Sequence, residues 1–383
     1  MKQKGTEMGN FKEMIAVRAF VQTKSRAVQS LLCCVAVILL AFAVQAQTVN
    51  SKLRKHTVHI GIPLTVYVID VEGGQSTLFV TPEHQSLLID TGWPDNAGRD
   101  ADRIVAVAKQ AGLDHIDFVL LTHYHTDHVG GVPQLVARIP VVEFIDHGPV
   151  RELTDPPTVK GYDAYQQLLA QTHIQRILAT PGMKLPLYGL TATVVSSDGN
   201  LIDQPLPGAP GAGEADPYCK VSEVRPTDQT ENARSVGTVI QYGKMRLIDL
   251  GDLTWDKEMK LMCPNNKLGK IDVYIVSHHG WNYSGSPAFV DGIAPRVAIM
   301  DNGETKGGTP STWDIIEKSP RLKNLWQIHY SAEGGATHNV AAPYIANLKG
   351  KDTGYYIRLQ AYPNGRLVVY NARTRQSTNY PAP

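Results

Sequence analysis

Residues 116–131 read IDFVLLTHYHTDHVGG, an apolar run that empties into four groups able to bind metal, His123, His125, Asp127 and His128, within six positions. The apolar half has the length and β-branched character of a buried strand, and the polar half begins where such a strand would run out into a loop. In extended chain the side chains alternate, so His123 and His125 point the same way and can grip one ion, with Asp127 and His128 just past the bend. Imidazole and carboxylate suit Zn²⁺, and also Mn²⁺ or Fe. A solvated loop would use Ser, Asn, Lys and Gly with little histidine. The cluster is therefore a candidate metal centre, and the fold must deliver a buried strand to an open end.

The surrounding pattern predicts how that strand is housed. From residue 63, PLTVYVIDV, STLFVTP and SLLIDTG are short apolar runs separated by EGG and EHQ, as in an antiparallel meander. GRDADRIVAVAKQAG places Ile104, Val105, Val107 and Ala108 on one helical face and stops at Gly112. After the histidine loop come a short helix around VPQLVARI and a strand VVEFID. Residues 150 to about 230 read as a loop-rich insertion: a helix at YDAYQQLLAQTH and strands near KLPLYG and LTATVVSS precede the Pro- and Gly-rich DQPLPGAPGAGEADPY. Strand pattern returns with SVGTVIQYGKMRLIDLGD, IDVYIVSHHG and RVAIMDNG. Two series of strands, each followed by helices, predict an α/β fold of two stacked sheets with helices outside, a four-layer αββα sandwich.

The first residues are set apart from this pattern. Lys2, Lys4, Lys12, Arg18, Lys24 and Arg26 precede the apolar LLCCVAVILLAFAV, and VQA follows before Gln47. This predicts a signal peptide over residues 1–46, leaving residues 47–383 as the folded domain in a secreted or periplasmic protein. The alternative is an N-terminal membrane anchor, because the apolar run approaches the ~20 residues of a spanning helix. With the leader gone, no membrane segment is expected. The full chain has 37 Lys+Arg against 36 Asp+Glu. Removing residues 1–46 takes away more basic than acidic groups, so the remainder is mildly acidic and carries no strong nucleic-acid signal. Cys33 and Cys34 would leave with the leader. Cys219 and Cys263 remain, and the sequence leaves their pairing open. It says nothing of oligomeric state.

The motif THYHTDHVGG carries the H-x-H-x-D-H signature of the metallo-β-lactamase fold superfamily. VIDVEGGQSTLFV, SLLIDTG, ENARSVGTVIQYGKMRLIDLGD and VSHHGWNYSGS resemble, in order, successive blocks of the extracellular hydrolase domain of the DNA-uptake competence channel family. The resemblance spans roughly residues 62 to 335. It implies two divalent ions, Zn²⁺ first among candidates, with His123 and His125 on one, Asp127 and His128 on the other, and Asp252 bridging both. Asp252 also stands out unaided, since an acid ending the apolar strand of LIDLGD is costly to bury unless paired or bound to metal. In SHHG, His279 is the expected second-metal ligand and His278 the neighbour that contacts substrate or a ligand, although the two roles can be exchanged. His147 in FIDHGP, at a strand end, is the candidate third ligand of the first ion. Asp90 in LLIDTG is expected to brace the metal loop. The blocks DNG at 301–303, GTPST at 308–312 and HYS at 329–331 are expected to line the pocket. His173, the other histidine weighed as third ligand of the first ion, lies in an amphipathic helix where exposure is expected, and His56, His59, His84, His115 and His338 have no supporting neighbours and are expected at the surface or in packing roles.

Such a centre implies a hydrolase whose nucleophile is a hydroxide held by two ions, oriented by Asp127, with His278 steadying the developing anion. The nearest blocks point to a phosphoester or other small-molecule substrate. The alternatives are a β-lactamase or lactonase, which needs a cation near the pocket to hold a substrate carboxylate, and a non-catalytic metal-binding module. DNA import is not expected, because the multi-span membrane portion of the channel family is missing.

Overall fold

The computed structural model describes residues 61–94, 96–350 and 352–383. The expected signal peptide, with Cys33, Cys34, His56 and His59, lies outside the described residues. Among those described, no helix is long and apolar enough to cross a membrane.

Two mixed sheets carry the described chain from Leu64 onward. The first has nine strands and is built around Leu64–Val68, Thr77–Val80 and Ser86–Ile89, which form the antiparallel meander the sequence predicts. Ile116–Leu120 joins in parallel with Ser86–Ile89, followed by Val141–Asp146 and Gln175–Leu178. On the other side, Leu64–Val68 pairs antiparallel with Ile357–Ala361 from the far end of the chain. The second sheet has eight strands. Its centre is Gly237–Tyr242 and Met245–Asp249, antiparallel, then Val273–Ile275, Val297–Met300 and Asn324–His329 in parallel.

Alternation decides which residues fill which layer. Leu64, Val66 and Val68 of the first sheet meet Ile240, Leu247, Val273 and Ile299 of the second in one core between the sheets. The opposite face of the first sheet, with Tyr67, Leu78, Leu88 and Val119, is covered by Ile104, Val105 and Ala108 of the helix Arg99–Gln110 and by Tyr165 of the helix Pro156–Thr172. Val239, Ile248 and Tyr274 of the second sheet pack beneath Leu261, Phe289 and Ile316 of the helices Trp255–Met262, Pro287–Ile293 and Pro310–Glu317. The result is helix, sheet, sheet, helix, as the pattern of elements requires. Strands buried on both faces explain the near-continuous apolar runs.

Residues 150–230 contribute to both sheets. Gln175–Leu178 closes one edge of the first, and Thr191–Ser197 pairs with Gly237–Tyr242 in the second. The stretch KLPLYG forms only a single bridge, Lys184 to Thr193. Residues 202–236 hold two short 3-10 turns and no strand. They are tied to the end of the helix Trp255–Met262 by a disulfide between Cys219 and Cys263.

Candidate metal centre

Strand Ile116–Leu120 ends beneath the motif, and one buried carboxylate holds the loop that leaves it. Asp90 accepts hydrogen bonds from Thr122 N at 2.8 Å and Thr122 Oγ1 at 2.6 Å, and its Oδ2 lies 2.7 Å from His128 Nδ1. The two ends of the motif are thereby pinned to one residue, which occupies the left-handed region at φ 59° to reach them. After His125 the chain turns into the short helix Thr126–Val129, which brings Asp127 and His128 back over the strand end.

Two other stretches converge on this loop. Asp252 follows the strand Met245–Asp249 through Gly251, which sits so close to Thr122 that an added Cβ would approach the threonine side chain to 2.7 Å. Ser277–Gly280 follows Val273–Ile275 as a kinked turn in which His278 and His279 both take φ 54°. Two consecutive left-handed non-glycine residues cost about 1–3 kcal/mol each, a strain characteristic of functional sites. The turn brings both imidazoles to Asp252, with His278 Nε2 3.4 Å from Oδ2 and His279 Nε2 3.5 Å from Oδ1.

The ligand atoms of Asp127, His128, Asp252 and His279 all lie within 4.8 Å of one another, and all four residues are buried. His128 Nε2 is 3.2 Å from Asp127 Oδ2 and 3.3 Å from Asp252 Oδ2, while His279 Nε2 is 3.2 Å from Asp127 Oδ2. Beside this group, His123 Nε2 stands 3.1 Å from His125 Nδ1 and 4.0 Å from Asp252 Oδ2. The other nitrogen of each ring faces outward. His128 Nδ1 faces Asp90, His123 Nδ1 meets Thr122 Oγ1 at 3.0 Å, His125 Nε2 meets Glu152 Oε2 at 3.1 Å, and His279 Nδ1 is 3.4 Å from Asp301 Oδ2. A carboxylate behind an imidazole takes its N–H and leaves the inward nitrogen as a lone-pair donor.

The electrostatics of the group are those of a site built for positive charge. Burial opposes charging His128, but Asp252, Asp127 and Asp90 outweigh it and hold the imidazole well above its ordinary range. His279 is raised to about 10, with burial and Lys306 opposed by Asp252 and Asp301. Burial would raise Asp252, yet His278, His128 and His279 hold it well below the usual carboxylate range. His123 is pushed well down by burial and by His128 and His125, and His278 falls to about 4, chiefly through burial. Three buried atoms, His128 Nε2, His279 Nε2 and Asp252 Oδ1, have no hydrogen-bond partner among the described residues. Unpartnered buried nitrogen and carboxylate atoms facing one another are costly, and a divalent cation satisfies all of them at once, so the donor set fits borderline metals such as Zn²⁺.

His147 stands apart from that group. Its ring packs on Tyr124 at 4.5 Å and its Nε2 lies 2.9 Å from Glu231 Oε2, both side chains fully buried. Glu231 accepts in turn from Arg151 N, and its own backbone N–H donates to Glu152 Oε2 at 2.9 Å. The strand end proposed for a third ligand thus anchors the support of His125. His278 stacks edge-on to Trp281 at 5.5 Å, and its Nδ1 is 3.4 Å from Ser284 Oγ, whose hydroxyl donates to the Leu253 carbonyl. That hydroxyl can only accept from His278 Nδ1–H, which leaves Nε2 as an acceptor and not as a donor to an anion.

The sequence reading did not find Glu152, Glu231 or Lys306. Lys306 Nζ contacts Asp127 Oδ2 and lies 5.1 and 5.5 Å from the rings of Trp93 and Trp281. Its only signal was the glycine-rich GETKGG: a Cβ on Gly307 would come within 2.1 Å of the His279 carbonyl, so only glycine lets this loop lie against the histidine turn. Of the other expected lining blocks, Asp301 backs His279. His329 instead joins Asp70 at 2.7 Å, with Arg103 also 3.0 Å from that carboxylate. Arg103 thus lies on an acid of that second group of potential ligands as Lys306 lies on Asp127 of the first.

Residues 70–207 match the sequence family described as the metallo-beta-lactamase superfamily. The match takes in the loop from His123 to His128 and stops short of Asp252 and the histidine turn. Recombination protein 2 of Haemophilus influenzae is 24% identical over 302 residues, 79% of this chain and 31% of that protein. Hydroxyacylglutathione hydrolase of Stenotrophomonas maltophilia is 40% identical over 83 residues, 22% of this chain and 31% of that enzyme. The matched stretches thus span less than a third of these curated relatives. Among solved structures, a metallo-beta-lactamase of Cronobacter sakazakii aligns over 55% of this chain and 75% of its own, at 16% identity and a TM-score of 0.32.

Proposed function

We propose that the chain, whose residues 70–207 match the metallo-beta-lactamase superfamily, is a secreted or periplasmic metal-dependent hydrolase that works with two divalent cations, Zn²⁺ by preference, on a phosphoester substrate. The observation that carries this reading is the convergence of Asp127, His128, Asp252 and His279 from three separate strand ends into one buried group of ligand atoms. In it, Asp127, His128, Asp252 and His279 would hold one cation, and His123 and His125, beside Asp252, would help to hold the other. When bound, such cations supply Lewis-acid activation of water and of the attacked centre.

The chain's own groups do the rest. Asp127 and the accepting Nε2 of His278 orient the attacking water. Lys306, near the rings of Trp93 and Trp281 and against Asp127, supplies a positive charge beside the ligand group for an anionic substrate. The disulfide between Cys219 and Cys263 supports placement in an oxidising compartment.

Lys306 also favours a second reading. It is the kind of cation a lactam- or lactone-cleaving enzyme needs for a substrate carboxylate, and the sequence alone placed none. Metal analysis of the purified protein, followed by turnover of bis-p-nitrophenyl phosphate, a β-lactam and a thioester, separates the readings. The expected result is two equivalents of metal and diester turnover that falls by about 100-fold or more in Asp252→Asn. Lactam turnover alone transfers the assignment to the second reading, and bound metal without any turnover makes the protein a binding module.

A further inference from the structure

On the outer face of the second sheet, away from the metal ligands, is a cavity of about 1010 Å³. That is the upper end of the roughly 300–1,000 Å³ typical of small-molecule sites. Its charge is one-sided. Lys184, Arg246, Lys257, Lys260 and Lys267 line it, and Asp203 is the single acid among the lining residues. The floor is set by strand alternation: Ala192, Ile240 and Leu247 turn into the core between the sheets, so Thr193, Gln241 and Arg246 face the other way, into the cavity.

Arg246 is the unusual member. It is only 4% exposed, yet no carboxylate lies within ion-pair distance of its guanidinium among the described residues. The guanidinium makes one hydrogen bond, Nη1 to the Lys270 carbonyl at 2.6 Å, and its Nε has no partner. The neighbouring acid, Asp272, accepts from the backbone N–H of Arg246 and is shared by Arg296 and Arg321. Burial pulls Arg246 down to about 10, with only partial relief from Asp272. Of the four lysines, Lys260 alone has an acidic partner among the described residues, Asp256 at 3.2 Å. Lys257 and Lys267 spend hydrogen bonds on the carbonyls of Gly199 and Lys260.

A buried, unpaired guanidinium is expensive to keep, and like charges gathered around it raise the cost, unless an anion completes the set. We infer that this cavity is a binding site for a phosphorylated organic anion of nucleotide size, held by Arg246 and the surrounding lysines. Thr193 and Gln241 add polar contacts on the floor, and Ile202 and Leu206 offer an apolar wall for the organic part. The site is independent of the metal centre, since none of the proposed metal ligands lines it.

The test is calorimetric titration of the metal-loaded protein with ADP, with adenosine as the uncharged control. ADP should bind and adenosine should not, and affinity should fall as salt is raised. Lys184→Gln/Lys260→Gln, both exposed positions, should weaken ADP by about tenfold or more. Arg246→Met should abolish the ADP-dependent rise in unfolding temperature without lowering the temperature of the ligand-free protein. Titration after EDTA treatment should give the same affinity. Absent ADP binding, adenosine bound as tightly as ADP, unchanged affinity in the lysine variant, or affinity lost with the metal would each overturn the proposal. If Arg246→Met fails to fold, the lysine variant decides.

Discussion

Of the histidines proposed to face the cations, His123, His125 and His128 have the far nitrogen hydrogen-bonded, and for His125 the partner is Glu152 at 3.1 Å. Without that carboxylate His125 loses the partner that selects its tautomer. Glu152→Ala should therefore weaken metal binding by about 10–100-fold, measured by competition with a chromophoric chelator, while leaving the fold intact. Glu152→Gln, which can still accept a hydrogen bond, should restore most of the affinity. The motif residues were legible in the sequence because four potential ligands in six positions have no other economical explanation. Glu152 was not, since a single acid in a loop has many, and its role appears only when Glu231 is brought against it from far along the chain. His147 illustrates the converse. A histidine at a strand end has the address of a ligand, but a buried glutamate waiting beside it gives its Nε2 a different partner.

Among elements, the helices Trp255–Met262 and Pro287–Ile293 are joined through one buried acid. Glu258, on the helix Trp255–Met262, is fully buried and accepts from Gly285 N at 2.9 Å and Ser286 N at 2.8 Å, where the next helix begins. Burial raises its carboxyl from 4.5 to about 7, against the partial relief of those two N–H groups. The folded state therefore holds a proton that the unfolded chain has released between these values, so this contribution is complete below pH 4.5 and is lost as pH rises through 7. Unfolding free energy measured in denaturant should fall from pH 5 to pH 8, and Glu258→Gln should flatten that slope; an identical slope in both proteins would remove the assignment. Alternating apolar patterns made the strands legible. The same patterns could not show that KLPLYG, apolar at alternate positions, would find only one bridging partner, or that SHHG would adopt left-handed backbone. Both outcomes are decided by neighbours distant in sequence.

For the whole molecule, the two stacked sheets followed from the order of elements, but their stitching did not. Cys219 and Cys263 enclose 44 residues of chain separation and fasten the irregular stretch 202–236 to the second sheet's helical layer. Loop-closure entropy for a ring of that size is worth about 4 kcal/mol at most. Reduction, or Cys263→Ser, should lower unfolding stability by a few kcal/mol on that scale, read from denaturant midpoints, without changing metal content. The pairing of Leu64–Val68 with Ile357–Ala361 reaches further still. The strand Leu64–Val68 keeps an open edge until Ile357–Ala361, far along the sequence, has been made, so the sheet beneath the histidine loop is completed late. In an exported protein such a delay would keep the polypeptide threadable until it has crossed the membrane, and would postpone assembly of the centre to the far side.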